Sequence, residues 1–163
     1  MMSVEKVKEY LAAYHLDGKV MVRPDSVATV EEAAHELGVE EARIAKTMAF
    51  QGEDATKAII IVAAGDMKVS SSKFKQAFHI KAHMLDRETL LSLTGHPQGG
   101  VCPFALDEDV CTVYLDKSLE RFTTVFPSCG SEESCIELTL PELEATSRSK
   151  GWLDLCNPIL TTP

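Results

Sequence analysis

Lys57-Ala58-Ile59-Ile60-Ile61-Val62-Ala63-Ala64 is the most apolar run in the chain. It lacks polar alternation, so it reads as a strand buried on both faces and central in a sheet. The polar turn Gln51 to Thr56 separates it from a second strand-like run, Ile44-Ala45-Lys46-Thr47-Met48-Ala49-Phe50, which carries one lysine. Alternate strand residues share a face, so Lys46 points the same way as Ile44 and Met48, and Thr47 points the other way.

Helices and strands alternate irregularly around this pair. Ser3 to about His15 is an expected helix with Ser3 as N-cap, and Lys19 to Arg23 an expected strand stopped by Pro24-Asp25. Thr29-Val30-Glu31-Glu32 reads as a capping box opening a helix that Gly38 closes, and Glu40 to Arg43 as one more turn. Gly65-Asp66 turns the chain. Ser70 caps a helix ending near Phe78, Ala82 to Leu85 is a strand, and Asp86 caps a helix that ends at Gly95. Cys111 to Leu115, Thr123 to Phe126 and Cys135 to Leu138 are strands, with a short helix at Ser118 to Phe122. A second capping box, Thr139-Leu140-Pro141-Glu142, opens a helix expected to run to about Lys150, and the apolar tail from Trp152 docks. The pattern is α+β, a mixed sheet with helices outside it, in one domain spanning 1–163.

With 163 residues and 45% hydrophobic content, the chain can build a proper core. No apolar run approaches the ~20 residues of a membrane helix, and Met1 to Lys6 has no apolar signal segment. The 5 cysteines have no paired spacing, which argues against a disulfide framework, and C-x-x-C and H-E-x-x-H are missing. The expectation is a reduced, cytoplasmic protein without membrane, metal or organic cofactor. A net charge of −9 confines any nucleic-acid contact to a local basic patch. The candidate is Lys68, Lys73, Lys75 and Lys81, in a stretch free of acidic residues; a solvated helix face explains it equally well.

Two segments carry candidate chemistry. Gly95-His96-Pro97-Gln98-Gly99-Gly100-Val101-Cys102-Pro103 has more glycine than a helix cap needs, and the amides of Gly99, Gly100 and Val101 are placed to hold an oxyanion while Pro103 stiffens the loop. Lys46 reads either as a strand lysine with its head in water or as a half-buried cation that holds an anion. Ser128 is either a turn former or a substrate ligand. Cys102 has only His96 near it in sequence and reads as a buried thiol rather than a nucleophile.

Ala45-Lys46-Thr47, Thr94-Gly95, Gly99 to Pro103 as G-x-x-x-P, Val113-Tyr114-Leu115-Asp116, Ser128-Cys129-Gly130 and Ile136-Glu137-Leu138 occur in order over most of the chain. In these pieces the chain resembles the YbaK/prolyl-tRNA-synthetase-associated editing domain family, which hydrolyses mischarged aminoacyl-tRNA. The resemblance implies a curved, barrel-like mixed sheet with flanking helices. It implies Lys46, Gly99 and Gly100 as catalytic residues, with Lys46 on the terminal phosphate or ribose hydroxyls. It implies Thr47, Val101, Pro103, Ser128 and Gly130 around the substrate. The implied substrate is a small amino acid, alanine or cysteine, wrongly esterified to tRNA, in particular the proline tRNA, and prolyl-tRNA synthetase is the implied partner.

The chain departs from the pattern after Ser128-Cys129-Gly130. Family members acting on cysteinyl-tRNA often carry basic residues there and an aspartate just before the Ile-Glu-Leu strand. This chain has Ser131-Glu132-Glu133-Ser134 and Cys135. That departure keeps open a second reading, a non-catalytic module binding an amino acid, a nucleotide or a synthetase through the same pocket. A Cys102-dependent hydrolase is a third.

Overall fold

The computed structural model describes residues 3–23 and 29–160. Helix α1 (Ser3–Ala12) buries Val7 and Leu11, one turn apart, against the sheet. It includes Ser3 as a helical residue rather than a cap, and the Ser3 hydroxyl contacts the His96 ring instead. A 3-10 turn at Asp17–Lys19 takes the place of the first residues of the expected strand, leaving β1 (Met21–Val22); Pro24-Asp25 lie outside the described residues. Thr29 accepts from the Glu32 N–H to open α2 (Val30–Leu37), which ends at Gly38.

A 3-10 turn at Glu41–Arg43 feeds β2 (Ile44–Gln51), and the chain returns as β3 (Ala58–Ala64), buried at every position. After the turn comes β4 (Met67–Val69), a strand that the sequence pattern leaves unmarked because its partner is 87 to 91 residues away, from Lys68↔Asn157 and its neighbours. Ser70 caps α3 (Ser71–Phe78) and Asp86 caps α4 (Arg87–Thr94), each accepting from an amide three residues on. Then follow β5 (Cys111–Asp116), a 3-10 turn at Lys117–Arg121, β6 (Thr124–Pro127), β7 (Ser134–Cys135), β8 (Leu138–Thr139), α5 (Leu140–Ser147), β9 (Trp152–Leu153) and β10 (Cys156–Pro158).

The main sheet has the order β8-β6-β2-β3-β5-β9. β2 and β3 pair antiparallel from Ala45↔Ala64 to Gln51↔Ala58, while β3–β5, β5–β9 and β2–β6 are parallel. The sheet is therefore mixed, and it curls into a half-barrel, the α+β form expected. One face packs Ala45, Ala49, Ile60 and Val62 against α1 and α5; the other packs Phe50, Ile59, Ile61 and Ala63 against Phe74 of α3. A small separate cluster of Ala34, Ile44 and Phe126 seats α2.

Three further expected elements differ. Ala82 to Leu85 makes only the Phe50↔Met84 bridge with the end of β2, and Met84 is exposed, so no strand forms. Cys135 to Leu138 splits, because Ser134–Cys135 pairs with β1 while Leu138 pairs with Val125 of β6; the chain bends at the buried Ile136. α5 stops at Ser147 with Arg148 at φ 52°, since the Lys150 N–H is drawn to Val113 O at 2.8 Å as the chain joins the sheet edge.

Candidate functional site

The parallel pairing of β2 with β6 lasts only two residues, Ile44↔Phe126 and Ala45↔Pro127. Beyond it the strands part. β2 continues beside β3, while the other chain turns at Ser128, opposite Cys135. A cavity of about 230 Å³ opens at this parting. Lys46, Thr47, Gly99, Val101 and Ser128 all line it. Its apolar wall comes from Val30, Ala33 and Leu37 of α2 with Ile44 and Phe126, and its rim carries Arg23, Glu36, Glu132 and Glu133. Arg23 and Glu36 pair at 3.5 Å across that rim, and the Arg23 N–H holds Glu133 O at 2.7 Å.

Strand alternation sends Lys46 and Thr47 to different faces, with Lys46 opposite Ala63 and Thr47 opposite Val62. Both reach the cavity because it wraps around the free edge of β2. Burial pushes the half-buried Lys46 ammonium below its ordinary value, and Cys156 and Asp66 act in the opposite sense. The Cys156 thiol is itself pushed up to about 12, chiefly by burial, and is neutral at physiological pH. Asp66 is thus the real counter-charge, and it is already bound to Arg121 at 2.6 Å. Among the described residues Lys46 has no ion pair, so its charge is available to an anion. Thr47 Oγ1 is buried with no hydrogen-bond partner among the described residues. Such an atom costs about 1–3 kcal/mol of stability.

The glycine loop divides its labour. The Gly100 N–H closes a turn onto Pro97 O at 2.9 Å, so it is spent within the loop. The Gly99 and Val101 amides donate to no group among the described residues, and both residues border the cavity. Gly99 is at φ 89°, a backbone conformation that only glycine adopts freely, and Glu132 packs on its α-carbon. A Cβ at Gly100 would come 2.5 Å from Gly130 O, and one at Gly130 would come 2.9 Å from Ser3 C. These two glycines let the loop, the 128–130 turn and α1 stack closely. The Ser128 hydroxyl donates to Val101 O at 3.0 Å, bracing the loop and leaving its oxygen lone pairs as acceptors.

Gly100, Pro103 and Gly130 do not line the cavity. Pro103 borders a separate small hollow beside Tyr10. Lys68, Lys73, Lys75 and Lys81 also lie away from it, on and around β4 and α3, and Lys73 is held by Asp154 at 2.9 Å and Cys156 O at 2.8 Å. Cys102 is fully buried, its thiol pushed up to about 12 by that burial. Its sulfur lies 3.5 Å from His96 Nε2, but that nitrogen donates to Phe104 O at 2.7 Å, so no base faces the thiol. Sequence reasoning missed the α2 wall and the Arg23–Glu36 rim. The Thr29 cap signals the helix but not what it covers, and of the expected capping box only the Glu32 N–H to Thr29 Oγ1 half forms among the described residues.

Known proteins match this architecture. A Bacillus subtilis protein, YwhH, uncharacterized, is 48% identical over 155 residues, covering 95% of this chain and 98% of its own. The Enterococcus faecalis protein EbsC, provisionally named a Cys-tRNA(Pro)/Cys-tRNA(Cys) deacylase, is 29% identical over 111 residues, 68% of this chain and 66% of EbsC. A crystal structure provisionally described as a trans-editing enzyme for prolyl-tRNA synthetase superposes with a TM-score of 0.85 at 26% identity, covering 95% of this chain and 97% of that one. The family model of the aminoacyl-tRNA editing domain matches residues 24–146. With most of its length under that model, the chain belongs to the aminoacyl-tRNA editing domain family.

Proposed function

We propose that the protein is a trans-acting aminoacyl-tRNA deacylase, which removes a small amino acid, alanine or cysteine, from a tRNA that carries it in error. The observation that carries this reading is the meeting in one cavity of Lys46 with the Gly99 and Val101 amides, which donate to no group among the described residues. The family and the names of the two relatives point the same way. The carrier is the proline tRNA, as those names also indicate, and prolyl-tRNA synthetase is the enzyme whose errors are corrected in the cytoplasm. A synthetase needs such help because excluding a smaller side chain is worth only ~1–3 kcal/mol per methylene.

In this reading water attacks the ester carbonyl carbon, the C–O bond to the ribose breaks, and the ribose oxygen leaves as a hydroxyl with a proton from that water. The Gly99 and Val101 amides receive the oxyanion. Such a donor is worth roughly 10²–10³ in rate when its geometry is fixed beforehand. Lys46 holds the ribose end of the ester, Ser128 offers an oxygen atom to the α-ammonium, and Thr47 lines the wall beside it. The α2 wall receives the side chain. The test is release of amino acid from alanyl, cysteinyl, seryl and threonyl tRNAs. Turnover confined to the small residues, and lost with Lys46→Ala, supports the reading; no turnover on any ester leaves a pocket that binds without hydrolysis.

A further inference from the structure

We propose that the groove between α4 and the 97–99 loop is the seat of the tRNA's terminal nucleotide, with Arg87 on its phosphate. The proposal rests on the reading of the cavity as the acyl site. An ester linkage is only a few atoms long, so an acyl group inside the cavity places its ribose at the rim. Two hollows border that rim. One, of about 750 Å³, shares Gly99 and Glu132 with the cavity and is otherwise lined by Arg87, Leu91, Pro97 and Gln98. The other, of about 640 Å³, shares Thr29 and carries Glu31, Glu32 and Glu41.

Charge chooses between them. The second hollow sets three carboxylates against a phosphodiester, whereas the first has one, Glu132, and a guanidinium that offers a planar fork of donors. Arg87 Nε donates to Gln98 Oε1 at 3.0 Å, which orients the group and leaves its outer edge for a ligand. Among the described residues Arg87 enters no ion pair. Leu91 follows one helical turn later and is 52% exposed, an apolar surface that a base would cover. A second cation, Lys6, stands by the C-cap of α4, its Nζ 3.8 Å from where a Gly95 Cβ would stand, outside the lining of the groove. The lysines around α3 have no comparable link to the cavity, and Lys73 is already paired.

A fluorescein-labelled RNA hexanucleotide ending in CCA, uncharged and therefore indifferent to turnover, tests the groove by anisotropy across salt concentrations. Arg87 is exposed and its replacement leaves the core intact, which circular dichroism verifies. Arg87→Ala is expected to weaken binding about tenfold and to flatten the salt slope by about 0.7, the loss of one single-strand phosphate contact. Arg87→Lys recovers part of it, and Lys75→Ala stays within about twofold. Equal binding by wild type and Arg87→Ala, or no salt-dependent binding by wild type, overturns the proposal. Parallel deacylation assays separate the two claims. An inactive wild type that still binds through Arg87 removes the deacylase reading and keeps the groove. An active enzyme indifferent to Arg87→Ala removes only the groove.

Discussion

The Glu132 side chain lies against the α-carbon of Gly99, so that a methyl group placed there would come 2.8 Å from Glu132 Cγ. Gly99 also holds φ 89°, where a side chain costs about 1–2 kcal/mol. Gly99→Ala is expected to lower kcat by about 10²-fold through displaced loop amides. The double variant Gly99→Ala with Glu132→Ala recovers the steric part and keeps the backbone part. Gly100→Ala behaves differently: its methyl meets Gly130 backbone, so about 1–3 kcal/mol of stability is lost. Urea midpoints alongside deacylation rates distinguish the two glycines.

Lys46 is expected to trade stability for function. The folded chain disfavours its ammonium through burial, so the cost is present at neutral pH and fades as pH rises toward the ordinary lysine value of 10.5. Lys46→Met therefore raises the melting temperature at pH 7 while abolishing ester hydrolysis. A variant that is both inactive and less stable would show that the lysine is a structural strut.

His96 predicts an acid-sensitive fold. Its ring is fully buried, with Nε2–H on Phe104 O and Nδ1 accepting from Ser3 Oγ at 2.5 Å, so both nitrogens serve the neutral form. Burial lowers its pKa, opposed by the Phe104 bond and reinforced by Lys6. The unfolded chain takes up its proton near the ordinary 6.5 while the folded chain does not, so stability falls as pH drops through that value. Comparing urea midpoints at pH 7 and pH 5 shows a fall for wild type that is smaller for His96→Gln.

The cysteines are expected to separate by access rather than by acidity. Cys102 is shut in the core, whereas Cys135 is part exposed and borders the cavity. Native protein treated with iodoacetamide should label Cys135 and spare Cys102, read by peptide mass. Cys102→Ala should retain deacylation within about threefold, since replacing a small buried thiol removes no group that touches the cavity.

Much of the fold was legible because local chemistry decided it. The caps at Thr29, Ser70, Asp86 and Thr139, and the twice-buried strand around Ile60, all follow from neighbours in sequence. The elements that escaped depend on distant partners. β4 exists because Cys156 to Pro158 returns to it, and α5 ends early because Lys150 is claimed by β5.

The candidate site divides along the same line. Alternation placed Lys46 and Thr47 on opposite faces of β2, but only the parting of β2 from β6 shows that one cavity touches both. The diglycine announced close backbone approach. Which amide is spent inside the loop is set by the Pro97 turn, and how closely the loop packs by the 128–130 turn, and neither contact is written in the pair itself. The pairing of Lys73 with Asp154 is equally remote, 81 residues on, and it withdraws a charge that the local sequence presents as free.

The most direct measurement is single-turnover hydrolysis of alanyl- and cysteinyl-tRNA(Pro) by wild type and Lys46→Ala, with tRNA binding followed in parallel. Release by wild type is expected, with a loss of about two orders of magnitude in the variant and a smaller change in affinity. Undiminished release by a well-folded Lys46→Ala protein would contradict the catalytic role of Lys46.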